Sequence, residues 1–111
     1  MNLRNRVQLI GNLGSDPKVF EFENGKKVSF SLATNEFYTK DGKTVQNTTW
    51  HNLVAWNKTA ELIGNNLKKG SEIVINGKLV NRSYDDKDGN KRYITEVVVN
   101  EVVFRSQKEA A

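Results

Sequence analysis

The fold class this sequence predicts is all-β, a small closed barrel of five antiparallel strands, and three observations predict it. Apolar and polar residues alternate over most of the 111-residue chain, which is the two-residue period of half-buried strands. Turn-forming clusters interrupt the alternation at Gly14-Ser15-Asp16-Pro17, Asn24-Gly25 and Asp88-Gly89. Helical spacing appears once, between Asn57 and Lys69.

Taken in order, residues 3–13 (LRNRVQLIGNL) read as a first strand that stops at the cluster containing the single proline. Val19 to Glu23 resumes an extended pattern up to Asn24-Gly25, a strong hairpin signal. VSFSLAT then sets Val28, Phe30 and Leu32 on one face, with Ser29, Ser31 and Ala33 on the other. A loop at 40–43 leads into TTWHNLVAW (48–56). In NKTAELIGNNLKK, Ala60, Ile63 and Leu67 recur at i, i+3 and i+7. Asn57 is the expected N-cap, Lys68 and Lys69 close the last turn, and Gly70 is the expected C′ residue. Two more strands, SEIVINGKLVNRSY and KRYITEVVVNEVVF, flank the DDKDGN turn. This order predicts an OB-fold, a five-stranded antiparallel Greek-key barrel with one short helix between strands 3 and 4. One domain over 1–105 is expected, with a short frayed end at 106–111.

The bulk numbers narrow the function classes. The hydrophobic fraction of 37% is enough for one modest core, and the length suits one domain. No stretch approaches the apolar length of a membrane span, and the N-terminus lacks a secretory pattern. With no cysteine there is neither a disulfide framework nor a thiolate metal site, and a cytoplasmic location is expected. Seventeen Lys and Arg against thirteen Asp and Glu give +4, a weak pointer to a polyanionic partner.

Catalysis is poorly provided for, and no catalytic residue, metal site or cofactor is expected. His51 is the single histidine, and no second titratable group stands at a spacing that suggests a dyad. Asp85, Asp86 and Asp88 lack the closing bidentate glutamate of a calcium loop and fit a hairpin tip. Gly11 and Gly14 are followed by no GKS/T, so they form no phosphate loop.

Aromatics interleaved with cations are the signal that remains. Tyr38 precedes Lys40 and Lys43, Trp56 precedes Lys58, Tyr84 follows Arg82, and Tyr93 follows Lys91 and Arg92. Unpaired bases offer π-faces to flat side chains, while Lys and Arg track the phosphates. Phe20, Phe22, Phe30 and Phe104 are expected in the core. Strand 48–56 already supplies Leu53 and Ala55 to a core on the His51 face. Trp50 and Trp56, sharing the other face with Asn52 and Val54, are therefore expected outside as stacking platforms. Tyr38 and Tyr84 fit either role. In the first strand Val7 and Leu9 share one face and Ile10 takes the other, which suits a strand buried both in the barrel and against a neighbour.

Several strings then match one family. NRVQLIGNLGSDP (5–17) resembles the opening of bacterial single-stranded DNA-binding proteins, and FSLATNE, WHNLVAWNKTAE, KKGSEIVINGKL and RYITEVVV follow in order. The resemblance implies an OB-fold homotetramer that binds single-stranded DNA without sequence preference and protects it in replication, recombination and repair. It implies a cytoplasmic, nucleoid-associated location in a bacterium. It implies stacking by Trp50, Trp56, Tyr38 and Tyr84, with basic contacts at Arg6, Lys58, Lys69 and Arg82 and, more loosely, Lys43. His51 matches a subunit-contact histidine, so Val7, Leu9 and His51 are the expected interface. Family members generally end in an acidic tip that recruits partner enzymes. QKEAA has none, so recruitment is not expected of this sequence. The rival readings are an RNA-binding or primosome accessory module on the same fold, separable by the 2′-OH, and a nuclease, for which clustered carboxylates are lacking.

Overall fold

A computed structural model describes residues 3–104, and the expected frayed end at 106–111 lies outside them. The elements are β1 (Val7–Leu13), β2 (Lys18–Phe22), β3 (Gly25–Lys40), β4 (Lys43–Trp56), α1 (Asn57–Asn66), β5 (Glu72–Asp85) and β6 (Lys91–Phe104). Five of them close a ring, β1-β5-β6-β4-β3 and back to β1, because β1 pairs with both β5 and β3. The seam between β4 and β6 is parallel and short, Leu53 opposite Val97 and Val54 opposite Val98, whereas the other seams are antiparallel. The helix falls between the third and fourth barrel strands, as expected. β2 is a short additional strand on the outer edge of β3.

Alternation decides what each strand buries. Leu13, Val28, Leu32, Leu53, Ala55, Ile73, Ile75, Val97 and Val99 turn inward and form one core. Ala60 and Ile63, both fully buried, bring one face of α1 against the same core. β5 changes register at Asn76/Gly77, where a Cβ on Gly77 would collide with the Val98 carbonyl. An irregularity where only glycine allows the backbones to approach is how a strand bends round a barrel.

Asparagines of the opening motif act on the backbone. The Asn5 amide donates to the Leu79 carbonyl at 3.0 Å and accepts from the Leu79 N–H at 2.9 Å, pairing with β5 ahead of β1. Asn12 donates to the Gly70 carbonyl, and Asp16 accepts from the Lys69 N–H.

The structure corrects several expectations. Phe30 is buried and Phe104 packs partly against the core, but Phe20 and Phe22 are 44% and 55% exposed. They stand on β2, which has no buried position because it pairs on one side only and lies outside the ring. Val7 and Leu9, expected at the subunit interface, are half-buried and pack against the barrel's own core; Ile10, of opposite parity, is 53% exposed. The helix ends at Asn66, with Lys68 and Lys69 beyond it, and Gly70 (φ 90°) serves the following turn, in which Ser71 N–H bonds to the Lys68 carbonyl. Asn57 is not the cap. Trp56 holds the extended cap position without a side-chain bond, while Asn57 takes φ 53° and its amide oxygen accepts from the Lys26 N–H at 3.3 Å. The first hairpin turns on Glu23-Asn24, since Phe22 already pairs with Gly25.

Candidate nucleic-acid interface

The even positions of β4 build the site. Leu53 and Ala55 are 1% and 0% exposed, and Trp50 and Trp56, of opposite parity, are 60% and 46% exposed. Six residues at about 3.3 Å each put the two indoles roughly 20 Å apart, on a strand paired with β3 throughout and with β6 at Leu53 and Val54. Asn52 is exposed between them, but Val54 is buried. Flanked by Ser29 of β3 and Val98 of β6, it helps floor a shallow groove of about 240 Å³ edged by Lys18, Ser29, Ser31, Asn52 and Glu96.

Each indole has a seat. Gly14 leaves room for Trp50: a Cβ there would run into the indole and lie 2.9 Å from Ser31 Oγ. The Gly14 N–H is tied to the Ser31 carbonyl at 3.0 Å, so the backbone under the ring is fixed. Trp56 carries the Lys27 ammonium 5.4 Å from its ring centre, within cation–π range. The register makes this neighbourhood, since Lys27 lies opposite Trp56.

The same surface continues onto β6 and β5, where Val98, Glu96, Ile94 and Arg92 pair in turn with Lys78, Val80, Arg82 and Tyr84. Arg82 Nε and Nη2 both donate to the Glu96 carboxylate at 3.0 Å, a bidentate fork. This hydrogen-bonded partner, and then its charge, hold the Arg82 guanidinium more firmly protonated than usual. Arg92 Nε lies 2.8 Å from Asp86 Oδ2. That contact, with the Asn90 N–H, holds the Asp86 carboxyl below its ordinary range.

Trp50, Trp56, Arg82 and Tyr84 therefore share one outward face. Lys58 is exposed in the first turn of α1, two residues from Trp56, and Lys69 is exposed in the turn that Asp16 holds. Arg6 is exposed beside the Asn5 clamp on β5. Tyr38 and Lys43 lie elsewhere. The β3–β4 register is unbroken from Lys27↔Trp56 to Lys40↔Lys43, so Tyr38 and Lys43 fall on the reverse side of that arm, in the row of Thr34 and His51. Phe37, 66% exposed, takes the Trp50 side instead. His51 is half-buried, its Nε2 3.0 Å from Thr34 Oγ1, and faces a groove with Gln8, Ile10 and Glu36. Sequence reading missed Lys18 and Lys27 altogether and placed Phe20 in the core. The available signal was the alternation in KVFEF, whose position at a sheet edge is visible only in three dimensions.

A barrel with outward indoles on one strand and cations along the neighbouring ones is the architecture of an oligonucleotide-binding module. The Single-strand binding protein family model matches residues 4–105, and the chain belongs to that family, one of binding proteins and not of enzymes. It is 42% identical over 109 residues to single-stranded DNA-binding protein 1 of Chlorobaculum tepidum, covering 96% of this chain and 67% of that protein. A second relative, single-stranded DNA-binding protein 1 of Xylella fastidiosa, is 42% identical over 108 residues, covering 95% and 79%. Among solved structures, the Plasmodium falciparum SSB complex with ssDNA superposes with a TM-score of 0.82 at 29% identity, covering 96% of this chain and 100% of that one.

Proposed function

We propose that this protein binds single-stranded DNA without sequence preference, stacking bases on Trp50 and Trp56 and meeting phosphates with the surrounding Lys and Arg, and so protects exposed strands in replication, recombination and repair. The exposure of both indoles on a strand whose alternate residues are core carries this reading. Flat faces suit every base, and duplex DNA hides them. Titration with an unstructured strand should quench the indole emission, and a blunt duplex should bind far more weakly. Equal affinity for the duplex would refute the reading.

Working as a homotetramer in the cytoplasm is part of the same proposal. Its support is an apolar strip on the outer face of β1, β5 and β6. Ile10 pairs with Val74 and Val74 with Val103, leaving Ile10 and Val103 53% and 62% exposed. A groove of about 550 Å³ bounded by Gln8, Ile10, Thr34 and His51 adjoins it. In this proposal Ile10, with His51 beside it, joins the half-buried Val7 and Leu9 as a contact residue. Sedimentation should give four chains per particle at micromolar concentration, and a monomer would reject the assembly.

A further inference from the structure

β2 carries a feature that base stacking on Trp50 and Trp56 does not use. The strand lies at the outer edge of the sheet and its two faces differ. Val19 leans on α1, its methyl group close to Gly64. Lys18, Phe20 and Phe22 have the opposite parity and face the Trp56 side, because Phe20 pairs with Lys27 and Lys27 with Trp56. The Lys27 ammonium lies 6.0 Å from the Phe20 ring centre and 5.4 Å from that of Trp56, a cation set between two exposed rings. A single strand presents the complementary order, base, phosphate, base. Bare phenylalanines on an edge strand also invite unwanted strand pairing, so a ligand that covers them has a second use.

We propose that Phe20 and Lys27 form a further nucleotide subsite, which prolongs the path of the single strand from Trp56 over the β2–β3 hairpin. One base stacks on Trp56, the following phosphate meets Lys27, and the next base stacks on Phe20, with Phe22 beyond it. The subsite rests on the single-stranded DNA reading above. Continuity with the Trp56 face and the cations at 18 and 27 identify the occupant as the same strand and not a protein partner.

The test compares Phe20→Leu, which keeps apolar bulk but has no π-face, with Phe20→Trp, which keeps the face. Both are titrated with oligothymidylate of about sixteen nucleotides, the upper range for one barrel of this kind. Phe20→Leu should weaken binding roughly five- to hundredfold, the loss expected for one stacked base. Phe20→Trp should bind like the parent, with both thermal midpoints unchanged because the side chain is exposed. Lys27→Met should lower the slope of log affinity against log salt by about one. Unchanged binding by Phe20→Leu would overturn the subsite. So would a Phe20→Trp variant as weak as Phe20→Leu, or a loss of affinity matched by a fall in thermal midpoint. If the parent itself failed to bind the oligomer, the underlying reading would fall instead, which separates the two.

Discussion

Leaving a large apolar side chain in water forfeits about 1.5–3 kcal/mol of burial free energy, and β4 does so twice while Leu53 between the indoles is 1% exposed. The parity of β4 thus divides binding from folding. Trp50→Ala or Trp56→Ala should cost about 1–3 kcal/mol of DNA binding for each base stacked and little stability. Leu53→Ala should cost roughly 2–5 kcal/mol of stability, with binding retained in the folded fraction; fluorescence titration and thermal unfolding together check both. An exchange of these effects would mean that the indoles are structural. Gly14 belongs to the same unit. A methyl group there meets the Trp50 ring, so Gly14→Ala should weaken binding by displacing the indole. In a Trp50→Ala background it should add nothing further, which a double-mutant cycle would measure.

At the scale of elements, the β5–β6 hairpin balances charge across its two strands. Glu96 occupies both inner donors of the Arg82 fork and reduces the positive field of the binding face. Glu96→Gln should leave Arg82 with an uncompensated charge, raising affinity at low salt and steepening the salt slope by about one, as read by titration at several salt concentrations. The hairpin tip responds to acid. Asp86 is held below its ordinary range by Arg92 and by the N–H of Asn90, with that of Asp88 also bonded to it. A folded-state value below the unfolded one means that the stabilisation is present above the ordinary carboxylate range. It is lost as pH falls through the depressed folded value. Protection of the Asp88 and Asn90 amides, taken relative to their intrinsic exchange rate at each pH, should therefore fall in acid before the barrel loosens; protection that persisted until global unfolding would contradict this.

At the scale of the whole molecule, a net charge of only +4 makes the balance of forces a prediction. Counterion release makes affinity fall as salt rises, whereas stacking is little screened. Binding should decline with salt and level at a measurable residue, as titration across a salt series would show. Assembly brings a second outcome. Ile10→Lys places a charge on the exposed strip of β1, while Val7 and Leu9 of opposite parity still fill the core. It should reduce the particle size in sedimentation without lowering the folded fraction at equal temperature.

Alternation, turn chemistry and one helical period were enough to predict the barrel, its helix and the division of β4 into two faces. These are local properties, and a residue's neighbours two positions away carry most of the information. The opposite orientations of Trp50 and Leu53 follow from the period alone once one face is known to be core. Other features depend on where an element sits. KVFEF alternates like any half-buried strand, yet β2 lies outside the closed ring, and Phe20 and Phe22 are exposed for that reason. Tyr38 fits either a stacking or a covering role in the sequence, and an unbroken register over the β3–β4 arm turns it to the reverse side from the tryptophans. Asn57 had the chemistry of a cap, and a neighbouring strand's Lys26 N–H claimed its amide. Gly14 and Lys27 are ordinary residues in the sequence, and they become supports for the two indoles only through contacts across β1, β3 and β4. Placement and register decide these cases, because burial and partnership depend on which strands pair, at which positions, and whether a strand lies inside or outside the closed ring.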